Sequence, residues 1–293
     1  MKKPDSIAAK LLEIKNEDIG DASTFLNKHM NDKFSSAVWA GALQQKWLSN
    51  APNCGFMLRD SGNEVVGVLC AIYSQQLIQG RLEPVCNLHS WVVLPEYRTK
   101  SILLVLAAIR QKGFHFTMFT PNQSGLEIFS YLKFKPLNSS VVPLLHTPRF
   151  RAGRHISVGA DSGGGLDVGL LSERDQKIYN DHASFSWLDS LVFRAGDSYG
   201  FILYRRSKYK KLPSARIYFI SDRKLFFQCW GEIKSCLLLK HKLFSSIIEA
   251  RFLPEKTPFS LPSFPSQRTF YLSETLGQLD IECIYSELMV LDL

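Results

Sequence analysis

The strongest constraint on this chain is a β-forming run that leads directly into a segment with no polar face. Cys86 to Leu94 reads as a strand, Pro95-Glu-Tyr-Arg98 stops it, and Ser101 to Gln111 is apolar nearly all round, without interruption from Ile102 to Ile109. A helix that is hydrophobic on every side must be buried. The order of elements around it, strand, two helices, three strands, helix, strand, helix, strand, leads one to expect a mixed α/β sheet domain. A strand that feeds a helix N-terminus also presents amides with no intrahelical partner, which attract anions.

The rest of the first half supplies that sheet. Ala9 to Ile14 reads as a short strand. Ile19, Ala22, Phe25, Leu26 and Met30 fall on one helical face, and Ser35 or Ser36 can cap a second helix that runs to Trp47. Gly55 to Arg59 and Val65 to Tyr73 form a hairpin across Asp60-Ser-Gly-Asn63. Phe114 to Thr120 is a strand, Ser124 to Leu132 a helix and Phe134 to Leu137 a last strand.

Periodicity then fails from Ser139 to Gly169, where Pro143, Pro148 and Gly163-Gly-Gly165 mark a connector, with one short strand at His155 to Val158. Order returns with a helix at Glu173 to His182, strands at Ser198 to Tyr204 and Ala215 to Ser221, a helix at Phe226 to Leu243 and a strand at Ser246 to Phe252. This second half repeats the strand–strand–helix–strand order of the first. The expected division is one domain over 1–140, a connector over 141–170 and a second domain over 171–293, which suits a chain of 293 residues.

A net charge of +8 and a pI of about 9.1 suit an anionic partner without choosing one. The cysteines Cys54, Cys70, Cys86, Cys229, Cys236 and Cys283 include no C-x-x-C pair, so a metal site is not expected and reduced core cysteines are. No apolar run approaches the length of a bilayer span, and no apolar stretch follows the basic MKKPDSIAAK start, so a soluble cytoplasmic protein is expected.

The segment Asn87-Leu-His-Ser-Trp-Val-Val-Leu-Pro-Glu-Tyr-Arg98-Thr-Lys-Ser-Ile-Leu103 resembles the main motif of the GNAT (N-acetyltransferase) superfamily, a strand followed by V-x-P-x-Y-R and a loop opening a helix. Thr120-Pro-Asn122, with Gly125, Phe129, Lys133 and Phe134, is similar to that family's downstream N-x-x-A-x-x-x-Y-x-x-x-G-F element. The resemblance covers a little under half the chain. It implies acetyl-CoA or another acyl-CoA as co-substrate. Arg98, Thr99, Lys100, Ser101, Ile102 and Leu103 would surround its pyrophosphate, the backbone of Val92 and Val93 would pair with the pantetheine arm, and Asn122 would hydrogen-bond that arm. Arg98 could otherwise be a surface arginine at a turn, and Asn122 a helix cap.

The departures from the family pattern also matter. Ser101 and Leu103 stand where the family uses small residues, Phe129 stands where a tyrosine would protonate the departing thiolate, and Asn87 stands where many members carry a carboxylate. Tyr131 is near and is the candidate acid, although two residues along a helix turn it from that face. His89 shares a strand face with Asn87 and is the candidate base, the alternative being a core histidine.

The expectation is therefore two tandem GNAT-like lobes, the second without a cofactor loop, which would shape a substrate cleft or a homodimer surface. The expected reaction is direct transfer of an acyl group to the amine of a small molecule. Two other readings remain: an inactive protein that binds acyl-CoA or a partner, and a polyanion binder acting through Arg205, Arg206, Lys208, Lys210 and Lys211. Nucleic acid is not an expected partner, because no recognition motif accompanies that cluster.

Overall fold

The computed structural model describes residues 8–44, 47–121, 123–149, 156–159, 168–254, 260–266 and 268–293. It divides into two compact units, each around its own sheet.

The first unit begins with β1 (Ala9–Glu13), α1 (Ile19–His29) and α2 (Ser36–Gln44). Ser35 Oγ accepts the Val38 amide at 3.3 Å, the expected cap of α2. β2 (Gly55–Asp60) and β3 (Val65–Ile78) meet at a turn in which Asp60 Oδ1 accepts the amides of Gly62 and Glu64, both at 2.9 Å. β3 turns through Gln79 and Gly80, both at positive φ, into β4 (Arg81–Val93). The strands of this hairpin outrun the sequence reading, because the polar stretch around Gln75 and Gln76 stays paired. Then come α3 (Ser101–Ile109), β5 (His115–Met118), α4 (Gln123–Tyr131) and β6 (Lys135–Leu137).

β3 shows why this part of the sequence is so apolar. Leu69, Ala71 and Tyr73 join Leu104, Val105 and Ala108 of α3 in one core. Val68, Cys70 and Ile72 point to the other face, as strand alternation requires, and are buried too. α1 and α2 contact β3 and bring buried residues that lie outside the α3 core, so they cover that second face.

The second unit holds β7 (Val141–Leu145), β8 (Ile156–Gly159), α5 (Glu173–His182), β9 (Asp189–Ala195), β10 (Ser198–Tyr209), β11 (Leu212–Ile220), α6 (Arg223–Gln228), α7 (Trp230–Leu239) and β12 (Ser245–Glu249). Its core lies between the sheet and α6 and α7, around Phe193, Tyr204, Phe226 and Trp230. The chain then contributes β13 (Thr269–Leu272) and α8 (Glu287–Val290) to the first unit.

The division of the chain differs from the expected 1–140, 141–170 and 171–293. The first unit comprises 1–137, 268–281 and 285–293, and the second comprises 138–267 and 282–284. The first sheet runs β1-β2-β3-β4-β5-β13-β6 and the second β7-β12-β11-β10-β9-β8. β13 is inserted between β5 and β6, and β7, in the stretch read as connector, is the edge strand beside β12. An edge tolerates Pro143, which cannot donate to a ladder.

Counted from β1 and from β8, the two sheets share one run of strand senses: three antiparallel pairs, one parallel pair, one antiparallel pair. Each also carries an extra residue on its fourth strand. On β4 it follows His89, where the register against β3 shifts between Val68 and Cys70, and on β11 it is Tyr218, where the register shifts between Leu203 and Tyr204. All six cysteines are buried free thiols. No helix among the described residues is long and apolar enough to cross a membrane.

Candidate functional site

β4 has a strand on both sides for only part of its length. Its parallel pairing with β5 covers Val85, Cys86 and Asn87, opposite His115, Phe116 and Thr117. From Leu88 to Val93 it keeps β3 on one side, and among the described residues no strand pairs with the other. Ser90, at φ 49°, provides the extra residue that resets the alternation. His89 and Val92 therefore share one face, opposite Cys70 and Val68. Leu88 and Trp91 face the α3 core, where Trp91 meets Phe129 edge-on at 5.7 Å.

The unpaired edge leads to Leu94, whose amide is tied to Val66 O, and then to a 3-10 turn over Pro95–Lys100 that opens α3. Lys100 precedes α3 without a side-chain cap. Arg98 and Thr99 are exposed, and Arg98 makes no ion pair among the described residues. Ser101 and Ile102 are half-buried and Leu103 is exposed on the first turn of α3, so its side chain does not enter the core. The structure thus brings Val92, Val93 and the loop from Arg98 to Leu103 together at one end of an open strand edge. Asn122 lies outside the described residues.

The two residues expected to move protons are placed differently from that expectation. Tyr131 is 79% exposed at the end of α4, turned outward as its helical spacing requires, and this corrects its candidacy as the acid. Phe129 is fully buried among Trp91, Phe134 and Phe270 and serves the core. His89 is fully buried too, and burial lowers its imidazole to about 3. Its Nδ1 lies 2.9 Å from Ser90 Oγ, and its Nε2 has no partner among the described residues. An imidazole so weakened is a poor proton acceptor at neutral pH.

The chain's end brings a group that the sequence reading missed. At Asn87, the position without the family's carboxylate, the side chain donates to Thr117 Oγ1 at 3.2 Å and accepts the backbone N–H of Glu287 at 3.2 Å. Glu287 opens α8 and is 1% exposed. Its Oε1 accepts from Thr120 Oγ1 at 2.6 Å, and its Oε2 is buried without a partner among the described residues. Burial raises the carboxyl to about 7, against the pull of Thr120 and Asn87. The one signal in the sequence was an acid set between a capping serine and an apolar run, Ser286-Glu287-Leu-Met-Val-Leu291.

Two other polar groups of this unit have structural roles. His115 is held on both ring nitrogens, by Glu83 at 3.2 Å and Ser273 at 2.9 Å, and Ser273 Oγ also accepts the amides of Thr275 and Leu276, so it caps a turn. A cleft of about 260 Å³ is lined by Lys15, Glu17, Asn53 and Tyr73 among others, but by no residue of β4, so it is separate from the open edge.

The second unit's matching positions differ. Asp222 caps α6 with its own carboxylate, which accepts the Leu225 amide at 2.9 Å. Residues 282–284 lie against β11, with Cys283 Sγ donating to Tyr218 O, and Glu282 pairs with Arg223 at 3.5 Å and Arg174 at 3.7 Å. Of the basic hairpin, Arg205 is buried against Tyr218 and Arg206 pairs with Asp189, leaving Lys208, Lys210 and Lys211 exposed.

No family model and no curated protein matches the sequence. Solved structures do match it in shape. A GCN5-related N-acetyltransferase from Anabaena variabilis superposes with a TM-score of 0.59 at 12% identity, covering 90% of this chain and 72% of that one. A GCN5-related N-acetyltransferase from Kribbella flavida gives 0.56 at 16% identity, over 92% and 72%. Eis1 from Mycobacterium abscessus gives 0.56 at 10% identity, over 90% and 73%. Identities this low speak for architecture and not for reaction, and with the open β4 edge and the turn into α3 they establish that this chain has the fold of the GNAT superfamily.

Proposed function

We propose that the protein is an acyl-CoA-dependent N-acyltransferase that passes an acyl group, in the simplest case acetyl, directly to the amine of a small molecule. The observation that carries this reading is the edge of β4 from Leu88 to Val93, unpaired on one side and leading to an α3 with no side-chain cap. An extended amide-bearing arm can add to such an edge as a strand would. A pyrophosphate suits the accessible start of α3, with Arg98 and Lys100 beside it. Val92 and Val93 would hold the arm, and the loop from Arg98 to Leu103 the phosphates. Relatives in shape are named as N-acetyltransferases, which agrees with this reading.

We assign no cofactor to the second unit and read it as a degenerate repeat of the first. The shared run of strand senses supports a repeat. The Asp222 carboxylate on the α6 amides repels an anion, and residues 282–284 lie where β11 would need an open side. A binding protein without chemistry is the second reading, and one observation favours it: Phe129 is built into the core, so no hydroxyl stands at that point to protonate a leaving thiolate.

Titration calorimetry with acetyl-CoA tests the first reading. Binding should appear at micromolar to millimolar ligand, and Arg98→Glu should weaken it about tenfold or more, because it replaces attraction for phosphate with repulsion. A folded protein that gives no heat at millimolar acetyl-CoA refutes the assignment.

A further inference from the structure

An N-acyltransferase at neutral pH must take a proton from an ammonium before the nitrogen can attack. The positions from which the sequence leads one to expect that group do not supply it. Asn87 cannot accept a proton from an ammonium, Phe129 has no ionisable group, and His89 is held near 3 by burial. His115 is occupied on both nitrogens. We infer that Glu287, delivered by the C-terminal segment to Asn87 of β4 and Thr120 beyond β5, is the catalytic base of the acyl transfer. The inference rests on the reading of the protein as an N-acyltransferase.

The geometry supports the role in three ways. Glu287 is anchored at both ends of the residue: its amide donates to Asn87 Oδ1 and its Oε1 accepts from Thr120. One oxygen is thereby fixed, and the other, Oε2, is buried and has no partner among the described residues. It is the oxygen left to meet an amine or a water that relays its proton. The carboxylate also stands where the parallel pairing of β4 and β5 ends, beside the unpaired edge that would hold the thioester. The groups that bear on its titration are uncharged: the Thr120 side chain and backbone, the Asn87 side chain and its own amide. With no cation to hold it ionised, its carboxyl titrates near 7, which matches a base to the working pH.

The step balances without another reagent. The Glu287 carboxylate takes one proton from the ammonium. The freed lone pair forms the C–N bond with the thioester carbonyl. The C–S bond breaks and its electron pair leaves on sulfur, and the second proton shed by nitrogen converts that thiolate to free CoA thiol. Glu287 then returns its proton to solvent.

The test is Glu287→Gln, which keeps the shape and the anchoring bonds, measured by thiol release from acetyl-CoA with spermidine, glucosamine, lysine and a lysine peptide between pH 5.5 and 9. Acetyl-CoA affinity should stay within twofold. kcat/KM should fall at least about a hundredfold, and the acidic limb near pH 7 should vanish. Glu287→Asp should keep that limb at reduced rate. If Glu287→Gln binds acetyl-CoA and turns over within threefold of wild type, or keeps the limb, the base is another group. If wild type binds acetyl-CoA but acylates none of these amines, the base assignment also falls. If acetyl-CoA fails to bind at all, the functional reading itself falls, and this inference with it.

Discussion

Each of the two units holds a largely buried carboxylate from the chain's last dozen residues, and the two have different surroundings. Glu282 faces arginines: Arg223 at 3.5 Å, Arg174 at 3.7 Å, and Arg251, whose guanidinium stacks with that of Arg223 on the Phe252 ring at 4.0 and 4.1 Å. Glu287 faces the Thr120 side chain and backbone, the Asn87 side chain and its own amide, and it makes no ion pair among the described residues. Burial raises the Glu282 carboxyl as well, but Arg174, Arg223 and Arg251 pull against it and fix it in place as part of the scaffold. An acid that is buried among neutral dipoles has its proton affinity moved into the working range, as reacting groups do. The helix starts diverge in the same direction: α3 has no side-chain cap, whereas α6 is capped by the carboxylate of Asp222.

The comparison breaks most sharply through stability. The Glu287 carboxyl is raised to about 7 in the folded state, from about 4.5. The folded protein thus holds its proton more tightly than the unfolded chain, so stability falls as pH rises from about 4.5 through 7. At pH 8 the wild type carries the whole penalty, on the order of 3 kcal/mol. Glu287→Gln, which never ionises, should be more stable by up to that amount at pH 8, with the gap closing towards pH 4. Urea unfolding at both pH values measures it, and equal stability at pH 8 would mean that Glu287 carries no such penalty.

Removing a partner of the other glutamate should have the opposite sign. Arg223→Ala leaves Glu282 with one guanidinium fewer and uncovers Phe252, at a cost of about 2 kcal/mol, below the value for fully buried pairs because Arg223 is about a third exposed. Acetyl-CoA affinity should not change. A tenfold loss of affinity in a folded variant would show that the second sheet is no bystander.

The smallest effect expected is that of Asp222→Ala. Loss of the cap costs about 1 kcal/mol. It should create no second acetyl-CoA site, because residues 282–284 still lie against β11. A calorimetric stoichiometry of two would overturn the assignment of no cofactor to the second unit.

Sequence reasoning located what local chemistry determines. The strand and turn from Cys86 to Lys100, the Ser35 cap, the Asp60 turn and α5 all follow from neighbours in the chain. α3 forms where expected, but it buries only Leu104, Val105 and Ala108 and leaves Leu103 exposed, so an all-apolar segment here is half-buried. It failed where pairing is remote. β13 is four residues long, too short for a period to show, and its place is set by β5 and β6 more than 130 residues earlier. Pro143 is a strong breaker signal and argues for a connector, but β7 sits at a sheet edge that accepts it. The same limit holds for the groups that could move protons. Alternation along β4 shows that Asn87 and His89 share a face, but not that burial would lower the imidazole, nor that a glutamate 200 residues away would be tied to Asn87.

The return of β13 to the first sheet also sets an order on synthesis. While the first 140 residues emerge from a ribosome, their sheet lacks the strand that lies between β5 and β6, and two sticky edges wait until β13 arrives. The second sheet has all of its strands once β12 is made, before β13 is translated. The half of the protein made first is therefore the half that finishes last. The same late-made stretch carries Glu287, so a nascent chain gains the intact sheet and its proposed proton acceptor within about twenty residues of each other, and a truncated product has neither.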